Sequence, residues 1–320
     1  MRSFLDATLR GVGQVFLQNH PLTGAIFLLA ILANSVLSAS TLADQGVSAA
    51  WLFAGAVLGT VVSTSVAILL RLDPQAIRQG LYGYNGTLVG IALPFFFQAG
   101  PAMLPAIAAA TALSTGVMEL ASRLFGRWRL PVLTAPFVLT TWLALVVFSH
   151  VGALQPSSFM PGTPHVLPPI PLTPLGVAEG LLKGEGQVMF QAHWVAGLLI
   201  AIGLLVNSRR SFVFALVGSL LGELFALIEG VDAASVMTGL YGFNPVLTGI
   251  ALGAIFPARH AAWVALLGMG ATFVVAELLG LAFAPVALPA LTAPFVLTTW
   301  LFLLPRIHGA PPQDPPVSGA

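Results

Sequence analysis

Thr134 and Thr292 occupy the same place in two stretches that differ at one position: Leu130-Pro-Val-Leu-Thr-Ala-Pro-Phe-Val-Leu-Thr-Thr-Trp-Leu143 and Leu288-Pro-Ala-Leu-Thr-Ala-Pro-Phe-Val-Leu-Thr-Thr-Trp-Leu301. Two prolines in each forbid a continuous helix through the first half of the stretch. After Pro136 and Pro294 the pattern is apolar and helix-compatible. The chain therefore makes a backbone break followed by a helix, twice. A hydroxyl beside a break can do only one kind of chemistry, hydrogen bonding. The spacing predicts that the two threonines face one another across a permeation path, since paired breaks in corresponding halves point to a transport site. The other reading is that each hydroxyl caps the helix that follows it.

The neighbouring side chains fit the same chemistry. Asp73-Pro74 and Asp232 carry helix-start signatures. A helix from Pro74 to Leu81, roughly 12 Å long at 1.5 Å per residue, broken by Tyr82-Gly83-Tyr84-Asn85-Gly86, predicts a re-entrant half-helix that presents free carbonyls; a cytoplasmic connector ending in a turn is the alternative. Carbonyls and threonine hydroxyls make a line of acceptors without a charged ring, unlike most ion-selective pores. Tyr84, Phe243 and Phe190, with Leu88 and Leu247, supply flat apolar walls, or else pack the core. Such a slot selects a small, planar, neutral amide.

Several chemistries are excluded. There is no cysteine, hence no disulfide or thiol catalysis. The six histidines are scattered without ligand spacing, so no metal is expected. No phosphate-binding loop or nucleophile–base arrangement is present, no cofactor is implied, and no basic tract suggests nucleic acid. The chain does not read as an enzyme.

The elements that must position these residues follow from composition. Hydrophobic residues make up 57% and charged residues 7% of 320, where a soluble domain carries about a quarter charged. This is an all-α integral membrane protein. With roughly 20 residues per span, the apolar runs predict ten, at about 21–40, 49–71, 83–98, 101–122 and 136–151, then 188–207, 211–229, 243–256, 261–284 and 294–305. Residues 1–154 form one five-span repeat. A Pro-rich external connection follows at 155–175, then a second repeat at 176–308 and a disordered tail at 309–320. Leu81-Tyr-Gly-Tyr-Asn-Gly-Thr-Leu-Val-Gly-Ile-Ala-Leu93 matches Leu240-Tyr-Gly-Phe-Asn-Pro-Val-Leu-Thr-Gly-Ile-Ala-Leu252, Asp73 matches Asp232, Glu119 matches Glu277, and Gln14-Val15 matches Gln187-Val188. Five is odd, so the repeats are inverted. With both termini cytoplasmic, eleven of the twelve basic residues fall inside and only Lys183 outside, as the positive-inside rule requires.

The doubled Leu-Pro-x-x-Thr-x-Pro-Phe motif, the Leu81–Gly90 stretch, Gly59-Thr-Val-Val-Ser-Thr64 and Gly11-Val-Gly-Gln14 together resemble the urea transporter family, from about Gly11 to Leu304. The resemblance implies a homotrimer in the cell (inner or plasma) membrane, each subunit passing urea passively through its own narrow filter. It implies Thr134 and Thr292 at the centre of that filter and Leu88 and Leu247 beside them. Gln14 and Gln187 stand at the two ends, and Tyr84, Phe190 and Phe243 stack along the slot. One position departs: where the family often has Phe three residues after the first-half Gln, this chain has Leu17. The runner-up function is a proton-coupled transporter of a small neutral solute, using one of the acids in apolar spans, Glu119, Glu223 or Glu277. These are read instead as structural, with Glu119 and Glu277 bonding backbone groups freed by the breaks. Trp142 and Trp300 are expected to anchor span ends at the membrane interface. An aquaporin-like channel is disfavoured, because Asn85-Gly86-Thr87 and Asn244-Pro245-Val246 are not a paired Asn-Pro-Ala signature.

Overall fold

The computed structural model describes residues 2–162 and 171–309, and every regular element among them is helical. The first half holds α1 (Arg2–Gln14), α2 (Pro21–Leu37), α3 (Ala39–Asp44), α4 (Ala49–Leu69), α5 (Pro74–Arg78), α6 (Gly83–Phe96), α7 (Met103–Gly126) and α8 (Ala135–Val151). The second holds α9 (Pro174–Gln187), α10 (Trp194–Asn207), α11 (Arg209–Ile228), α12 (Ala233–Met237), α13 (Phe243–Ile250), α14 (Ala261–Phe283) and α15 (Ala293–Gly309). The order of elements recurs, apart from α3, which the first half inserts where it carries extra residues. The protein is an all-α membrane protein. Four described helices are long and apolar enough to cross a bilayer (Ala49–Leu69, Met103–Gly126, Arg209–Ile228 and Ala261–Val286), and five shorter ones are also apolar.

Local chemistry starts the helices at matching places. His20 accepts from the backbone N–H of Thr23 at the head of α2, with Pro21 next to it, and His193 accepts from Val195 at the head of α10. The Asp73 carboxylate accepts from the N–H groups of Gln75 and Ala76, and Asp232 from that of Ser235.

Each of the ten apolar runs holds a helix, with shifted ends. The run at 188–207 does not start as helix: residues 188–193 form a turn, and α10 begins at Trp194. Helices α1 and α9 lie outside the ten runs. Each packs one face inward, α1 through Val12 with the adjoining Phe16 fully covered and α9 through Gly180, Gly184 and Glu185, while Arg10–Asp6 and Lys183–Glu179 pair along their polar sides at 2.6 and 3.0 Å. The expected helix from Pro74 to Leu81 is also corrected. It is a single turn, Pro74–Arg78, with no buried residue, and α6 begins at Gly83, inside the expected break. The buried short helix at this point is therefore α6, and the end it presents at Tyr82 is an N-terminus. The tail beyond 309 and the centre of the Pro-rich connection, Pro168 included, lie outside the described residues.

Helices α4 and α6 cross with their backbones nearly touching. A Cβ on Gly59 would lie 2.0 Å from the carbonyl oxygen of Gly86, and one on Gly90 the same distance from that of Gly55. Small residues at a membrane-helix crossing let dispersion contacts accumulate where water supplies no driving force. The halves join through α2 and α10, where Thr23 donates to the Gly203 carbonyl at 2.9 Å and the backbone of His193 donates to Asn34 at 3.1 Å.

Overpacking a tight contact costs about 1–3 kcal/mol, whereas an exposed helical Gly replaced by Ala gains up to about 1 kcal/mol. Gly59→Ala should therefore lower the thermal unfolding temperature in detergent, and Gly116→Ala, where a Cβ meets open space, should leave it unchanged or raise it. Parallel shifts in the two variants would contradict the crossing described here.

Candidate functional site

The two motif breaks meet at the centre of the molecule. Each approaches its helix through a residue in the left-handed region, Leu133 at φ 53° and Leu291 at φ 51°, a conformation that costs a branched or bulky residue of order 1–3 kcal/mol. The turn this makes directs Thr134 and Thr292 at each other. Their hydroxyl oxygens are 2.7 Å apart, in a hydrogen bond, and both residues are buried. Thr134 makes no side-chain bond to its own helix, so the capping reading fails there.

The caps come from elsewhere. Asn85 on α6 accepts the backbone N–H of Phe137 at 3.0 Å, and Asn244 on α13 accepts that of Phe295 at 3.2 Å. The carbonyls left by the breaks are covered in two different ways. Tyr84 donates its hydroxyl to the Leu133 carbonyl at 2.5 Å. Phe243 has no hydroxyl, and in its half the Asn244 amide donates to the Leu291 carbonyl at 3.0 Å. Trp142 and Trp300, expected at span ends, tie the halves together: their indole N–H groups donate across the halves to Pro289 and Pro131, each at 2.8 Å. Sequence reasoning singled out neither asparagine for this work; the signal was there, in the Asn that follows Tyr84 and Phe243 in both copies.

The remaining site residues divide between two ends. A cavity of about 880 Å³ reaches inward to Thr292 and is lined by Gln187, Phe190 and Phe243 among others. Phe190 sits in the turn after α9 at φ 62°, with its ring 4.8 Å from Phe95, 5.9 Å from Phe96 and 6.3 Å from Phe137. Gln14, Tyr84, Leu88, Leu247 and Thr134 do not line this cavity. Leu88 and Leu247 are fully buried, one helical turn beyond Tyr84 and Phe243 on the same faces. The two glutamines play matching parts: Gln14 donates to the Gln79 carbonyl at 3.0 Å and Gln187 to that of Thr238 at 2.9 Å. Leu17, at φ 60°, occupies the turn equivalent to that of Phe190.

The acids differ from expectation. Glu119 bonds side chains, the Tyr82 hydroxyl and the Arg123 guanidinium, both at 2.7 Å, and no freed backbone group. Glu223 is buried against Gly180 of α9, and neither of its carboxylate oxygens has a hydrogen-bond partner. Glu185 was overlooked because its Gly-rich stretch is only weakly apolar, yet it is fully buried and likewise without a partner. Among the described residues no three His, Cys, Asp or Glu side chains cluster as metal ligands would.

Comparison with known proteins gives consistent matches. The family profile described as urea transporter matches residues 5–307. Urea transporter 1 of Ovis aries is 32% identical over 330 aligned residues, covering 96% of this chain and 80% of that protein. Urea transporter 1 of Rattus norvegicus is 34% identical over 329, with the same coverage, and that of Mus musculus is 33% identical over 327.

Leaving one buried polar group unbonded costs about 1–3 kcal/mol. Asn244→Leu strands both the Phe295 N–H and the Leu291 carbonyl and should lower the thermal unfolding temperature strongly. Tyr84→Phe should cost less, because the Asn85 amide can turn to the Leu133 carbonyl as Asn244 does in its own half. A larger drop for Tyr84→Phe than for Asn244→Leu would refute this division of labour.

Proposed function

We propose that this chain, which belongs to the urea transporter family, conducts urea passively through a pore of its own in each subunit. Family membership makes it a transporter and not an enzyme. The observation that carries the reading is the meeting of Thr134 and Thr292 at 2.7 Å where the two broken helices converge. Urea is flat and uncharged, with N–H donors along both edges. For urea to pass, the two hydroxyls part and each accepts a urea N–H in place of its partner. One bond between hydroxyls is exchanged for bonds to solute, so the net free-energy change is small, as passive permeation demands. Tyr84, Phe190 and Phe243 bound the flat faces of the solute, Leu88 and Leu247 keep water from the centre, and Gln14 and Gln187 offer acceptors at the two ends.

In this reading all ten apolar helices cross the membrane as two inverted repeats, 1–154 and 176–308, joined externally by 155–175, with both termini cytoplasmic. The reciprocal Trp142–Pro289 and Trp300–Pro131 bonds support it, because a two-fold relation makes contacts come in such pairs. Helices α1 and α9, 13 and 14 residues long, dip part way in. The leucines and valines exposed on the outer faces suit lipid and the neighbours in a homotrimer of the inner or plasma membrane. Proton coupling is not supported by the family matches; of the three acids, Glu119 is paired, Glu223 lies off the path between α9 and α11, and Glu277 lines the wide cavity and not the meeting of the threonines.

Reconstituted protein should equilibrate urea across liposomes with no energy source, and an imposed proton gradient should not drive accumulation; uphill uptake would overturn the passive reading. Thr134→Val or Thr292→Val removes an acceptor from the centre at a cost of about 1–3 kcal/mol, where 1.4 kcal/mol is tenfold. Each should slow urea flux roughly ten- to a hundredfold per folded molecule, with Thr→Ser mild. Unchanged flux in both Val variants would remove the threonines from the filter. Because the natural sequence has no cysteine, a single Cys at exposed Leu172 reports topology. It should react with an impermeant thiol reagent on intact cells, and labelling only after lysis would refute an external connection.

A further inference from the structure

The two mouths of the molecule are built from matching residues but carry different charge. In the first half Glu119 is neutralised, accepting from Tyr82 and paired with Arg123. The second half repeats the tyrosine and the acid as Tyr241 and Glu277, but the place of Arg123 is taken by Leu281. Among the described residues Glu277 has no hydrogen-bond or ion-pair partner, and it lines the 880 Å³ cavity together with Asp232. No Lys or Arg lines that cavity. Hydrogen bonds from the Ser235 hydroxyl and backbone hold the Asp232 carboxyl below the usual carboxylate range, so the mouth keeps negative charge at neutral pH.

The other wall of the cavity is aromatic. The start of the Pro-rich connection is docked, with Ser157 donating to the Phe95 carbonyl at 2.7 Å and Ser158 to that of Gln45 at 3.0 Å. This lays Phe159 on Phe95 with centroids 4.4 Å apart and planes at 18°, and Phe95 in turn meets Phe190 at 4.8 Å. The repeat places Ala254 and Ile255 opposite Phe95 and Phe96, so this wall belongs to one mouth only. Phenyl faces attract cations, an apolar cavity lined by one sign of charge concentrates the opposite sign, and the volume suits a ligand much larger than urea.

We infer that this mouth binds planar aromatic cations of the amidine or guanidine class, stacked on the phenyl wall with Glu277 as counter-charge, and that the bound cation blocks urea passage. The binding stands on the cavity alone; the block rests on the urea-conducting reading above.

Benzamidinium and benzamide test this, being nearly the same shape with and without the charge. In proteoliposomes, benzamidinium should halve urea flux at a concentration at least tenfold below that needed with benzamide. Glu277→Gln should conduct urea normally, which shows that it is folded, and bring the two compounds to equal potency. Leu281→Arg, which recreates the pairing of the first half, should do the same. Calorimetric titration of the detergent-solubilised protein with benzamidinium should show binding that weakens about tenfold in Glu277→Gln. Equal potency in the natural protein, or unaltered discrimination in both variants, would overturn the proposal. If the natural protein shows no urea flux, the conducting reading and the block fall while calorimetry still decides the binding.

Discussion

A helix broken inside an apolar protein exposes backbone N–H and C=O groups with no water to satisfy them, and each orphan costs several kcal/mol in hydrocarbon-like surroundings. The centre of this molecule is arranged to meet that constraint at two breaks at once. Asn85 and Asn244 cap the helices that follow, Tyr84 and the Asn244 amide cover the carbonyls before them, and Trp142 and Trp300 reach across to the prolyl carbonyls of the opposite half. Because other side chains do this work, the threonine hydroxyls are left to each other. In the conduction proposed above, that spare capacity is what the solute uses.

The indole bonds also explain why the breaks are held close. Each Trp lies two turns into the helix after its own break and donates to the residue that opens the other half's break. Neither break can move without loosening the other. Two strained Leu residues at positive φ persist only where their surroundings over-determine them, and this reciprocal tie is such a surrounding.

Much of this was legible in the sequence. Two prolines, the second of them three residues short of a Thr-Thr-Trp run, announce a break, and their repetition fixes which positions correspond. Asp73 and Asp232 announce helix starts, which the structure bears out. The length of the helix after Asp73 was misjudged because its end is marked only by Gly80, which turns the chain at φ 76° as a left-handed residue after a helix does. Helices α1 and α9 escaped notice because each carries an ion pair, Asp6–Arg10 and Glu179–Lys183, which lowers mean hydropathy without preventing burial of the opposite face. The same pairing accounts for Lys183, the one basic residue on the expected outer side. It is the repeat equivalent of Arg10, and Glu179 compensates its charge. The cross-half role of the tryptophans was not legible for a general reason: a half-buried indole suits a membrane interface and a hydrogen bond inside the protein equally well, and only the fold says which carbonyl it meets.

The symmetry is close at the centre and relaxed toward the mouths, and the energetics explain that gradient. At the centre the two threonines and the two asparagines are buried, so a substitution on one side must be matched on the other, as when Phe243 replaces a tyrosine and Asn244 takes over its bond. Toward the mouths water satisfies what the protein does not. Leu17 can then stand opposite Phe190, Leu281 opposite Arg123, and α3 can be inserted in one half only. An ion drawn into the wide mouth by Glu277 and Asp232 would still have to surrender its hydration at the paired hydroxyls, where no counter-charge replaces it, and desolvating an uncompensated charge costs far more than any single hydroxyl returns. A charged mouth and the neutral filter proposed above are therefore compatible: in that reading the first sets which solutes accumulate, and the second sets which ones cross.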